Sequence, residues 1–125
     1  MAVTFTALEV PYESYSQGNS VIEYVVAGTH AGAVTVRAAV PSKQIYVRGH
    51  IRSAGAAVIS LKNAASGTVI AVMEFLAAGT QEIPKTHTKA GELLEFVSTT
   101  NVAFGGLIKT LAVAKGNQVP PIWAM

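Results

Sequence analysis

Four glycines, Gly55, Gly67, Gly79 and Gly91, recur at intervals of 12 residues, each preceded by a small residue: Ala54, Ser66, Ala78 and Ala90. Glycine enters positive-φ turns without steric cost. Turns at this interval leave room for one short strand of roughly five to eight residues between each pair. Gly105-Gly106 follows after 14 residues and is expected to lead into a final strand. The residues between the glycines do not repeat, so the pattern predicts a strand-turn meander and not a solenoid.

Apolar residues alternate with period 2. In residues 44–52, Ile45, Val47 and Ile51 fall on one face, and Gln44, Tyr46, Arg48, His50 and Arg52 fall on the other. Val, Ile and Thr, whose branched side chains suit a pleated surface, dominate residues 3–8, 21–27, 33–38, 57–63, 68–76 and 107–113, and residues 92–98 add another candidate strand. No window carries a helical apolar stripe bounded by cap and stop residues, so helix content is expected to be low. Gly28 to Gly32 reads as a turn and residues 11–20 as a loop. Eight or nine strands in 125 residues imply an all-β fold: a two-sheet, jelly-roll-like sandwich with short extended termini. One domain is expected over residues 1–116. An extended C-terminal tail, held open by Pro120-Pro121, is expected over residues 117–125.

The residue inventory excludes much chemistry. Without cysteine there are no disulfides, thiolate metal sites or cysteine nucleophiles. Without aspartate there is no Ser-His-Asp triad, and no G-x-S-x-G or phosphate-binding glycine motif occurs. His30, His50 and His87 lack ligand-like spacing and each reads as an exposed loop or strand-face histidine. Glu92 and Glu95 fall on opposite faces of a strand, which is wrong for paired-carboxylate chemistry. No catalytic, cofactor or metal site is therefore expected, and the chain does not read as an enzyme. The longest apolar run, residues 69–73, ends at Glu74, far short of the ~20 residues of a membrane-spanning helix, and no membrane partner is expected.

The net charge of +2 conceals an asymmetry. Residues 24–73 contain no acid but hold Arg37, Lys43, Arg48, Arg52 and Lys62. Arg48, His50 and Arg52, spaced i, i+2, i+4 on one strand face, read either as a solvated outer face or as candidate partner-binding residues for an acidic protein surface. Tyr46 is the single aromatic on that face, so specific nucleic-acid recognition is not expected.

Half the residues are apolar and only 13% are charged. Residues 68–76 are apolar on both faces, with Val69, Ala71, Met73 and Phe75 opposing Ile70, Val72 and Leu76. In so small a domain that pattern predicts a subunit interface. The tail adds Val119, Ile122, Trp123 and Met125, candidate partner-binding residues expected to dock on a neighbouring subunit or shell.

From about residue 34 to residue 114 the chain resembles small β proteins encoded in tailed-phage structural-gene clusters, taken to be capsid decoration (cement) or other accessory virion proteins. The resemblance is carried by Ser53-Ala54-Gly55-Ala56-Ala57, Ser66-Gly67-Thr68, Ala77-Ala78-Gly79 leading to Ile83-Pro84, Ala90-Gly91-Glu92 and Gly105-Gly106. It implies a non-enzymatic virion protein that is assembled in the host cytoplasm and located on the capsid surface. Its partners would be further copies of itself, as a homotrimer, and the major capsid protein. The alternative is a tail or host-recognition module whose jelly roll engages a glycan or receptor through its loops.

Overall fold

The structure, a computed structural model, describes residues 3–8, 14–15 and 19–114. These contain nine strands and no helix: β1 Thr4–Leu8, β2 Ser14–Tyr15, β3 Asn19–Arg37, β4 Lys43–Ser53, β5 Ala57–Ala64, β6 Thr68–Phe75, β7 Gly79–Glu82, β8 Thr86–His87 and β9 Leu93–Ala114. Gly55, Gly67 and Gly91 sit in the connections before β5, β6 and β9, while Gly79 opens β7. The all-β expectation and most strand positions hold.

The boundaries of β3 and β9 do not. Residues 21–27 and 33–38 were expected as two strands around a turn, yet they form one strand of 19 residues. Residues 92–98 and 107–113 likewise fuse into one strand of 22, so Gly105-Gly106 lies inside β9 and not at its start. The reason is a bulge. His30 pairs with Val102 and Gly32 with Ser98, so residues 99–101 of β9 stand against the single residue Ala31 of β3. Gly32, at φ 95°, supplies a backbone conformation at the bend that side-chain-bearing residues rarely adopt. The loop expected over residues 11–20 is likewise interrupted, because β2 pairs with the start of β3.

This bend makes the sandwich. Beyond it, residues 93–98 of β9 lie between β3 and β5, and β5 carries β6 on its other side. Before it, the order is β1-β3-β9-β4, with β7 and β8 on the far edge of β4. One hydrogen-bonded network thus folds into a smaller and a larger layer, with two strands crossing between them. Ile59, Leu61, Leu94 and Phe96 of the smaller layer close on Val26, Ile45, Ile51 and Ile108 of the larger one in a single core. Phe96 is fully buried and meets the edges of both Phe5 and Phe104, with centroids 5.3 Å apart in each case.

Two polar clusters fix the periphery of this core. Arg37 is buried and its Nη1 donates to Thr110 Oγ1 at 2.9 Å, while the Thr110 hydroxyl donates to the Ile22 carbonyl at 3.1 Å. Burial pulls the Arg37 guanidinium below its ordinary pKa, with the neighbouring Tyr24 acting in the opposite sense. The second cluster holds the β5–β6 turn. Glu92 Oε1 accepts from the Ser66 amide at 2.9 Å, the Ser66 hydroxyl at 2.8 Å and the Asn63 side-chain amide at 3.1 Å.

His30 departs from its expected exposed position. The bend tucks it inside, 9% exposed and tilted against Phe96 at 6.3 Å. Its Nε2 has no hydrogen-bond partner among the described residues.

Candidate functional site

Side chains directly opposed across an antiparallel ladder share a face, so the β4 register defines the outer surface of the larger layer. Arg48 stands opposite Lys109, His50 opposite Leu107 and Arg52 opposite Gly105, with Glu23, Val25 and Ala27 of β3 in the next column. The structure therefore brings the three sequence-predicted residues onto one face. Their surroundings differ. Lys109 Nζ binds Glu23 Oε2 at 3.1 Å, which places an acid beside the Arg48 row. His50 is opposed on β7 by Glu82, whereas Arg52 is opposed by Thr80.

Arg52 is also positioned by its neighbour. Its guanidinium lies over Gly105, such that a Cβ on that glycine would come within 2.8 Å of Cζ. Packing therefore aims a cation that is exposed to solvent. Beside it is an open depression of about 500 Å³ lined by small residues, among them Ala54, Ala78, Gly79 and Ala103. A second depression, about 240 Å³, lies between Arg48, His50, Leu107 and Lys109. The forked guanidinium of Arg52, seated on Gly105, suits a carboxylate.

Tyr46, the aromatic expected on this face, is 7% exposed, and its ring lies 4.8 Å from that of His87. It is covered and not offered for stacking. Among the described residues, no three His, Cys, Asp or Glu side chains come together to hold a metal ion, and no helix is long and apolar enough to cross a membrane.

A second surface lies on β6. Ala71, Met73 and Phe75 enter the core, while Val69, Val72 and Leu76 are 46%, 53% and 84% exposed. The sequence grouped Val69 with the inward set. A bulge overturns that, because Leu61 pairs with Ala71 but Lys62 with Val69, which leaves Ile70 unopposed and swings Val69 outward. The free edge of β6 is partly occupied: Thr86 Oγ1 donates to the Ile70 carbonyl at 2.9 Å, and the Gln81 side-chain amide donates to the Glu74 carbonyl.

Sequence reasoning missed Leu107, 48% exposed in the row of His50. Alternation from Ile108 could have found it. Val119, Ile122, Trp123 and Met125 of the expected docking tail lie outside the described residues.

No family model matches the chain, and no curated protein matches it. Among solved structures, the chain is similar to a subunit of Bacillus endospore appendages, described as a novel family of disulfide-linked pili. The TM-score is 0.55 at 15% identity, over 87% of this chain and 98% of that one. It is also similar to the xylohexaose-bound modules of a Clostridium thermocellum xylanase, with a TM-score of 0.47 and 14% identity over 93% of this chain and 25% of that one. A third similar structure is the C-terminal carbohydrate-binding module of a Zobellia galactanivorans laminarinase, with a TM-score of 0.45 and 15% identity over 88% and 90% of the two chains. At these identities the first likeness is one of fold: a small all-β domain of the same architecture and nearly the same extent.

Proposed function

We propose that this protein is a non-catalytic structural subunit that assembles with copies of itself, and that its finer role is to decorate the capsid of a tailed phage, bound to the major capsid protein. One observation carries the reading: β6 holds Val69 and Val72 in solvent, with Leu76 exposed in the bend directly after it, on a strand whose other face is locked into the core. Single exposed apolar side chains are ordinary, but three along one strand and the bend that ends it form a surface suited to a partner. The fold shared with a pilus subunit supports an assembling role. Disulfide linkage, named for those pili, is unavailable to a chain without cysteine. Assembly here rests on non-covalent contacts.

Engagement of a glycan by ring stacking has less support. Among the aromatic residues whose side chains are described, Tyr24, Tyr46, Phe75, Phe96 and Phe104 are buried and Phe5 is half-buried. Light scattering behind size exclusion, over a range of concentrations, tests self-association, and a chain that stays monomeric throughout refutes it. Sedimentation with undecorated tailed-phage capsids tests the capsid role. Saturable binding at fixed stoichiometry is expected, and absence of binding removes the capsid from the proposal.

A further inference from the structure

The geometry points to a head-to-tail contact between copies of this chain. The outward side chains of β6 on one copy seat on the outer face of the larger layer of the next, Glu74 meeting Arg52 while Val72 meets Leu107. This inference rests on the protein being a self-assembling subunit, and it names the surfaces.

The large exposed apolar side chains of the described residues are Val69, Val72, Leu76 and Leu107, the first two on β6, Leu76 in the bend directly after it, and the fourth on the opposite layer. Charge divides between the same two places. Glu74 is exposed on β6 between Val72 and the bend residue Leu76. Arg52 is exposed one row from Leu107, opposed in register by Thr80 and Gly105, and no ion pair joins it to a described residue. The spacings also match. Glu74 and Val72 are two residues apart on β6, about 6.8 Å, and Arg52 and Leu107 are diagonal neighbours across β4 and β9, about 7–8 Å apart. An acid and an apolar group on one copy can therefore meet a cation and an apolar group on the other in a single register.

Two features define the kind of contact. The Ile70 and Glu74 carbonyls on the free edge of β6 already accept from Thr86 and Gln81, which favours side-chain docking over addition of a strand. The two surfaces also belong to different layers, so the contact is heterologous. Such a contact closes into a ring or extends into a filament, according to the rotation between copies.

The test is charge exchange in the full-length chain, read by sedimentation velocity and by thermal melting of each variant. Glu74→Arg and Arg52→Glu are each expected to weaken association at least about tenfold with little change in melting temperature. The two single variants mixed in equal amounts, and the double variant alone, are expected to recover association to within about threefold of the original, because every contact is again complementary. Association that survives both single changes, or that neither mixing nor the double change restores, overturns this contact and leaves self-assembly standing by another surface. Association that stops at dimers overturns its head-to-tail character. An unaltered chain that stays monomeric overturns the self-assembling reading and this inference with it.

Discussion

Gly106 lies against His50 so closely that a Cβ on the glycine would overlap the His50 carbonyl oxygen, while the adjacent Gly105 lies under the movable guanidinium of Arg52. The two neighbours in sequence therefore carry opposite tolerances. Gly106 also holds φ at 133°, where side-chain-bearing residues are strained.

Gly106→Ala is expected to cost about 3 kcal/mol or more, because neither the His50 backbone nor the φ angle can yield without disturbing the β4–β9 ladder. Gly105→Ala is expected to cost under about 1 kcal/mol and to swing Arg52 off its seat. Urea denaturation of both variants checks the contrast, and equal losses would refute it.

Glu92 gives stability a pH dependence. Its hydrogen bonds from the Ser66 amide, the Ser66 hydroxyl and Asn63 hold its carboxyl below the usual glutamate pKa. A depressed folded-state pKa contributes stability that is complete above the unfolded value and is lost as pH falls through the folded value. Melting temperature is therefore expected to decline as pH falls below about 4.3, the ordinary glutamate value. Glu92→Gln should remove that component of the decline, and Glu92→Ala should loosen the β5–β6 turn at neutral pH. An acid limb unchanged in Glu92→Gln would show that other groups set it.

The alternation of β4 was legible because period 2 separates Ile45, Val47 and Ile51 from Arg48, His50 and Arg52 whatever the rest of the chain does. The turns at Gly55, Gly67 and Gly91 were legible for a similarly local reason. The fusion of β3 was not. A glycine at a bulge and a glycine at a turn look alike in sequence, and only the pairing of His30 with Val102 and Gly32 with Ser98 tells them apart. The same bend buried His30. Arg48 and Arg52 read as equivalent cations, yet Glu23 and Gly105 beside them come from distant segments, and no local pattern supplies them.

Arg37 is expected to depend on Thr110. Thr110→Val keeps the shape of the side chain but removes the hydroxyl that accepts from Arg37 and donates to the Ile22 carbonyl. A buried donor that loses its acceptor costs about 1–3 kcal/mol, and one attached to a charged group lies toward the upper end. Thr110→Ser retains the hydroxyl and should recover most of the loss. Chemical denaturation of both variants decides: if they are equally destabilised, the lost methyl group and packing govern this site and not the hydrogen bond.

His30 should behave in the opposite way. Its ring is buried against Phe96, and Nε2 meets no partner among the described residues, so the folded state carries a polar atom removed from water without compensation. Leucine has a similar volume and no polar atom. His30→Leu is therefore expected to leave stability unchanged or to raise it by about 1 kcal/mol, whereas Phe96→Ala, which empties the centre of the aromatic cluster, should cost about 3–5 kcal/mol. Urea denaturation with an unchanged slope would show that both effects act on the native state. A loss of more than about 1 kcal/mol in His30→Leu would mean that the bend between the two layers requires the imidazole itself.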